Sequence, residues 1–451
     1  MMSYHLCATR QYVVLAVNFL NLFLCGGFPF NMSVLNLEFL RVFGDSKAQT
    51  ALVQAVTTGI LDLAGIICGQ VINRYGVRIA GMCGGLLIFL GLSLSFFATS
   101  IPYLIVSIGV IAGFGFSLTF GSCFTSVGEY FNGRAKLIAI SVIGIGAGCG
   151  SMVFPYLMAY LIEVYGWRGC VLLVGGLMGN IVCFFAVCKP KSVGVATRNY
   201  DDPENLRQPL HEGDVTYDVQ LPHQPQDHRN QTDQSLHEIN IKSTTNKHYT
   251  GIKKLKLLCK NIIFIIFIFG ISLKISSFIS SLIYMLEFLQ TKGFDEKEAL
   301  LLYFYMNVST TIGRLLPGLC ILIPGIDGLI VSAIFTSISC VSGVGLVLAS
   351  EYYQHVILMC TFGMVMGCGN TVLSMTTMEI VGLNNYAVGL GVLMTVIGVS
   401  SIIAGVVSGW LVDVTGSYHA SYYSLAAAHG LAVVLFTFGA VLRKCHRKTD
   451  S

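Results

Sequence analysis

Charge is scarce in this chain. Of 451 residues, 11% are Asp, Glu, Lys or Arg, while 54% are hydrophobic. Soluble globular domains carry about 25% charged residues, so this composition excludes a soluble domain and indicates a polytopic membrane protein. The mean hydropathy of +0.72 agrees. The 15 cysteines are never spaced as C-x-x-C and lie mostly in apolar runs, so neither a disulfide framework nor a zinc site is expected. No nucleophile–base pair or metal-ligand cluster occurs in those runs. Catalytic residues, cofactors and metals are therefore all absent from the expectation, and an enzyme is not expected. No filter-like repeat suggests a channel. The net charge of +4 sits at the ends of apolar runs, which removes nucleic acid as a partner and leaves the lipid bilayer. The first apolar run is too long for a cleavable signal and has no small-residue cleavage site, so it is expected to stay as an anchor.

Apolar runs long enough to span a bilayer, roughly 20 residues, are what the chain has instead. Twelve are expected. The first six cover about 12–34, 49–72, 79–99, 102–127, 137–161 and 168–188. The second six cover about 261–287, 298–322, 326–349, 353–380, 386–411 and 420–442. The domains are then an N-terminal six-helix half (1–188), a polar linker (189–260) and a C-terminal six-helix half with a short basic tail (261–451). The linker has no apolar periodicity and is expected to be disordered. Lys and Arg crowd the loops after the second and fourth spans (Arg74, Arg78, Arg134, Lys136), the linker and the tail. The positive-inside rule then puts both termini in the cytoplasm. Sequons begin at Asn31, Asn230 and Asn307, but two lie in spans and one in the linker, so glycosylation is not expected.

Three strongly ionisable residues fall deep in expected spans: Asp62, Lys274 and Arg314. A charge at membrane depth costs about 2.5–3.5 kcal/mol on insertion scales and normally faces a cavity or a partner. Asn307, Thr310, Arg314 and Gly318 share one helical face. Mutual neutralisation of Asp62 by Lys274 or Arg314 is one reading. A midplane substrate site between the halves is the other, and two cations with one anion suit a small anion. Arginine presents a planar fork that matches a carboxylate, and a desolvated Asp62 is a candidate proton carrier. Glu38, Glu129, Glu287, Glu379 and Asp413 lie near span ends, where they read as hydrated interface charges. Pro29, after Gly26 and Gly27, is expected to bend span one. Gly109 with Gly113, and Gly144 with Gly148, are spaced for close helix approach.

Six spans, a linker and six spans resembles the layout of major facilitator transporters. Gly69-Gln-Val-Ile-Asn73-Arg74-Tyr-Gly76-Val-Arg78 resembles that superfamily's G-x-x-x-D-R-x-G-x-R signature, with Asn73 in place of the aspartate. A narrower likeness runs from Glu129-Tyr130-Phe131 and the basic pair Arg134 and Lys136, through Gly144, Gly148 and Pro155, to Tyr165-Gly166-Trp167-Arg168-Gly169. It resumes at Glu379-Ile-Val-Gly382-Leu383 and at Gly409-Trp-Leu-Val-Asp413-Val-Thr415-Gly416. These stretches resemble the monocarboxylate transporter family. The resemblance implies an all-α membrane protein of the major facilitator fold, twelve transmembrane helices in two halves, working by alternating access. It implies that Arg314 matches the arginine that binds the substrate carboxylate.

Departures from the family pattern fall at its coupling residues. Thr310 stands where proton-coupled members have an aspartate, and Phe30 stands where they have a lysine. The acidic, Trp-rich opening of span one is absent too. Lys274 and Asp62 are candidates to replace the missing pair. The expectation is a transporter of a small organic anion in the plasma membrane. Substrate contact is assigned to Arg314, Lys274, Phe30, Asn31, Asn307 and Thr310, and proton coupling to Asp62. Structural or gating roles fall to Asn73, Arg74, Arg78, Arg134, Arg168 and Asp413. A proton is the co-substrate in question, and a single-span accessory glycoprotein is a partner of some relatives. The alternatives are an amino-acid or aromatic-substrate facilitator, or a non-transporting sensor with the same fold.

Overall fold

The chain is described by a computed structural model over residues 2–131, 133–188, 258, 260–314, 327–382 and 386–449. Nearly all of the linker expected at 189–260 lies outside these residues, as do Gly318 and the rest of 315–322 and the side chain of Arg134. The described residues are helical almost throughout, because a helix satisfies its own backbone hydrogen bonds where no water can. In chain order the helices are α1 (Met2–Gly27), α2 (Ser33–Phe43), α3 (Lys47–Leu63), α4 (Gly65–Leu94), α5 (Ile101–Tyr130) and α6 (Gly133–Val187). Then come α7 (Ile262–Thr291), α8 (Glu296–Gly313), α9 (Gly328–Leu348), α10 (Tyr352–Val381), α11 (Tyr386–Thr415) and α12 (Tyr418–Thr449). Eight helical segments among the described residues are long and apolar enough to cross a membrane.

Glycines set the bends. Within α4 only Gly76 leaves helical geometry, at φ 80° and ψ 159°. Within α6 only Gly166 does, at φ 68° and ψ 172°. A side chain is poorly tolerated at these angles, so each glycine turns the chain without a long loop. Trp167 follows the second turn and is buried edge-on against Phe39 of α2, centroids 5.4 Å apart. Arg168 covers the Trp167 ring at 4.4 Å and donates to the Ala98 carbonyl at 2.9 Å. The Tyr-Gly-Trp-Arg-Gly stretch thus fastens three segments at one end of the bundle.

Span one breaks where expected. After Gly27 the chain makes a short 3-10 turn, Pro29–Asn31, and resumes as α2. Proline ends the α1 ladder because it has no N–H to give. Residues Ile105–Ala112 of α5 are wound as a π-helix. The helix pair α3 and α11 packs closely, as do α1 with α6 and α8 with α10.

Candidate functional site

The break in α1 leaves backbone carbonyls without helical partners, and neighbouring helices supply donors. The Phe30 carbonyl accepts from Gln54 Nε2 of α3 at 3.2 Å and from the Tyr303 hydroxyl of α8 at 3.2 Å. Asn31 donates back to the Gly27 carbonyl at 2.7 Å, and its Oδ1 accepts from Asn307 at 3.4 Å. Asn31 and Asn307 are both buried, in keeping with the expectation that their sequons stay bare. A polar seam therefore runs between α1, α3 and α8, at depth, through side chains that an apolar environment would penalise if unpaired.

Arg314 ends α8 and extends this seam. Its guanidinium donates to the Gly144 carbonyl of α6 at 3.0 Å. One and two turns above, Thr311 lies against Gly148 and Asn307 meets Asn31. The face of α8 turned to α1 and α6 is thus Asn307, Thr311 and Arg314. Thr310 sits to one side: its hydroxyl bonds the Met306 carbonyl at 2.9 Å and lies beside Gly363 of α10. Of the two glycine pairs, Gly109 and Gly113 take Val56 and Ile60 of α3 close to the α5 backbone, as expected. Gly148 takes Thr311, whereas Gly144 has open space where a Cβ would stand.

Lys274 of α7 is 1% exposed. Its ammonium lies where a Cβ on Gly369 of α10 would sit. Two residues earlier, Gly367 lets the α10 backbone approach the Thr310 carbonyl and the Arg314 amide. The Lys274 ammonium thus lies against the glycine-rich stretch Gly363-Met-Val-Met-Gly367-Cys368-Gly369, which the Arg314 backbone also meets while its guanidinium reaches α6. Neither Asp62 nor Lys274 enters an ion pair among the described residues; the pairs there are Arg41–Glu38 and Arg443 with Asp327 and Glu379. Among the described residues, no ion pair joins Asp62 to Lys274 or Arg314. Asp62 is half-buried at the end of α3, beside the junction with α4.

At the far end of α3, Asp413 of α11 accepts from the amides of Lys47 and Ala48, at 3.0 and 3.1 Å. A carboxylate there meets two unsatisfied N–H groups and the positive end of the helix dipole. The Lys47 ammonium stands over the Tyr418 ring at 4.1 Å, and the Tyr418 hydroxyl donates to Glu287. Glu287 is 8% exposed, so its expected place as a hydrated interface charge is corrected: the tyrosine bond replaces water. Asn73 and Arg74 are exposed at the α4 bend and Arg78 half-buried; Arg74 lies over its neighbour Tyr75 at 5.5 Å. Arg443 of the basic tail ties α12 to Asp327 and Glu379 at 3.2 and 2.8 Å.

The sequence points to Arg314 and Lys274 by their charge, whereas the sequence reading missed Gln54, Gly363, Gly367 and Gly369. Gly363 and Gly367 repeat at the small-residue spacing already noted in α5 and α6, which is the signal that finds them; Gly369 falls outside that spacing. Known proteins place the chain. The model of the Major Facilitator Superfamily matches residues 14–392. The chain belongs to this superfamily. It is a multi-pass membrane transporter. Its relatives include monocarboxylate transporter 9 of Pongo abelii, 25% identical over 91% of this chain and 89% of that one. Monocarboxylate transporter 12 of Xenopus laevis is 25% identical over 87% and 80%. Monocarboxylate transporter 9 of Gallus gallus is 35% identical over 40% of this chain and 35% of its own. In this superfamily member the deep cations and the α1 break thus belong to a transport protein.

Proposed function

We propose that the chain is a secondary transporter that moves a small organic anion, a monocarboxylate or related carboxylate metabolite, by alternating access between two six-helix halves. The observation that carries this reading is the placement of Arg314 and Lys274. The Lys274 ammonium lies against Gly369 of α10, and the Arg314 guanidinium reaches from the end of α8, whose backbone meets Gly367 of the same helix, to Gly144 of α6. A guanidinium meets a carboxylate through paired N–H groups, and an ammonium adds a point charge. Asn31, Asn307 and Phe30 line the adjoining break in α1 and contribute polar and aromatic contacts. Thr310, turned toward α10, contributes a hydroxyl at the edge of this site.

The lengths of the bent helices support a reading of twelve crossings. The 50 residues of the largely apolar stretch Ile138–Val187 would extend about 75 Å as one helix, more than twice the ~30 Å hydrocarbon core. Bent at Gly166, they make two crossings. The bend at Gly76 divides α4 in the same way, its first part completing the span begun by α3. Both termini and the 189–260 linker are then cytoplasmic, with the plasma membrane as the site of action. The Asp413–α3 contact closes the outer end and Arg74, Arg78 and Arg134 border the inner one. Arg168 serves the outer turn after Gly166. Asp62 is the acid available for proton coupling in the N-terminal half, and a single-span glycoprotein is the accessory partner to seek.

Purified protein in liposomes tests this reading with labelled pyruvate and lactate. Saturable uptake that falls at least tenfold in Arg314→Gln is expected. Saturable carboxylate uptake unchanged by Arg314→Gln would sink Arg314 as the ligand. Binding without flux would identify a sensor instead.

A further inference from the structure

His429 of α12 is 2% exposed, inside the cluster formed by α7, α9, α10 and α12. Its Nδ1 lies 2.8 Å from the carbonyl of Leu425, one turn back. A carbonyl only accepts, so Nδ1 carries the proton and a neutral ring presents Nε2 as a bare acceptor. Nε2 is buried and meets no hydrogen-bond partner among the described residues. The ring borders a cavity of about 10 Å³ with Ser281, Gly343, Phe362 and Tyr422, about the volume one water needs. The Tyr422 hydroxyl forms a polar wall, donating toward the Ser281 carbonyl at 3.1 Å and Met285 Sδ at 3.3 Å.

The charged and titratable groups around the ring are few. From α7, Lys274 lies level with His429: Gly270 on one side of it meets Phe436 of α12, and the Ser281 carbonyl on the other meets Tyr422. From α10 comes Cys368, the residue before Gly369, against which the Lys274 ammonium lies. The Cys340 thiol of α9 bonds the Ala426 carbonyl at 3.3 Å. Tyr418 and Tyr422 belong to α12 itself, and the one charged residue of α11, Asp413, sits near that helix's end. Lys274 is thus the neighbouring charge that matters most.

We propose that His429 and this cavity form a proton-binding site in the C-terminal half, coupled through Lys274 to the transported anion. The proposal rests on the reading of Lys274 as an anion ligand. With Lys274 charged and no anion present, a second positive charge on His429 is repelled across a medium of low dielectric. An anion on Lys274 cancels that repulsion. His429 then takes a proton from hydronium: an O–H bond breaks, the Nε2–H bond forms, and water remains in the cavity. By linkage, the protonated ring tightens anion binding to the same degree. This places a proton carrier in the chain although Thr310 and Phe30 stand at the family's coupling positions.

Full-length protein in liposomes, with labelled pyruvate, tests the coupling. The variant is His429→Asn, because an asparagine amide can keep the bond to the carbonyl one turn back, as Asn18 does to Val14 at 2.8 Å. The control is His419→Gln, an exposed site. With the outside about 1.5 pH units more acidic than the inside, wild type and the control should accumulate pyruvate. The limit is about tenfold per pH unit for one coupled proton. His429→Asn should lose accumulation. Accumulation retained in His429→Asn, or wild-type uptake indifferent to the gradient, overturns the proposal and leaves the anion reading standing. Absence of uptake and of binding for every carboxylate tried sinks both. Should His429→Asn fail to fold, nitrogen-15 spectra of histidine-labelled wild type decide. One imidazole protonating on pyruvate addition supports the site, and none doing so overturns it.

Discussion

Arg314 and Lys274 owe their positions to residues with no side chain. The Gly144 carbonyl takes the guanidinium, and the missing Cβ of Gly369 leaves the space that the Lys274 ammonium fills. A methyl group at 369 would force the lysine away from α10 in a closely packed interior. Gly369→Ala should therefore weaken pyruvate uptake several-fold with little change in melting temperature. Gly176→Ala, where a Cβ has nothing within 4 Å, should leave uptake unchanged. Equal uptake by both variants would show that the lysine can move without consequence. The charge of these two cations is visible in the sequence because each stands in an apolar run. What each one faces is not visible, because it depends on which helices pack together.

At the scale of the element, some helix boundaries follow closely from the apolar runs, since a bilayer fixes both length and composition, whereas the expected 137–161 and 168–188 lie in one bent helix, Gly133–Val187. The expected 261–287 appears as Ile262–Thr291, and 326–349 as Gly328–Leu348. The breaks are harder to foresee. Pro29 announces the one in span one. Gly76 and Gly166 are two among 49 glycines, and only the structure separates turns from packing sites. Span eight exposes another gap: a helical wheel gathers Asn307, Thr310 and Arg314, yet Thr311 is the residue that meets α6. Gly166 offers the sharpest test at this scale. At φ 68° and ψ 172° an alanine is strained by about 1–3 kcal/mol. Gly166→Ala should lower the melting temperature of the purified protein by several degrees. It should also loosen Trp167, read as a red-shifted fluorescence. An unchanged melting curve would mean the turn relaxes freely.

For the molecule as a whole, the contact between Asp413 and the start of α3 joins residues 366 positions apart in the chain. The Gly409-Trp-Leu-Val-Asp413 stretch shows its spacing in the sequence but not its partner, because an amide cap leaves no mark on the residues that donate to it. Two backbone N–H groups, Lys47 and Ala48, are held by one carboxylate. If the halves separate at this end during each cycle, those two amides meet water once per opening. They then keep a record of turnover in deuterium. Their isotope exchange should quicken when pyruvate drives cycling and slow in the Arg314→Gln protein. It should become fast and substrate-independent in Asp413→Asn, which weakens the cap. Amides in the middle of α3 should keep one slow rate throughout, so a pair of neighbouring protons would count the strokes of the carrier.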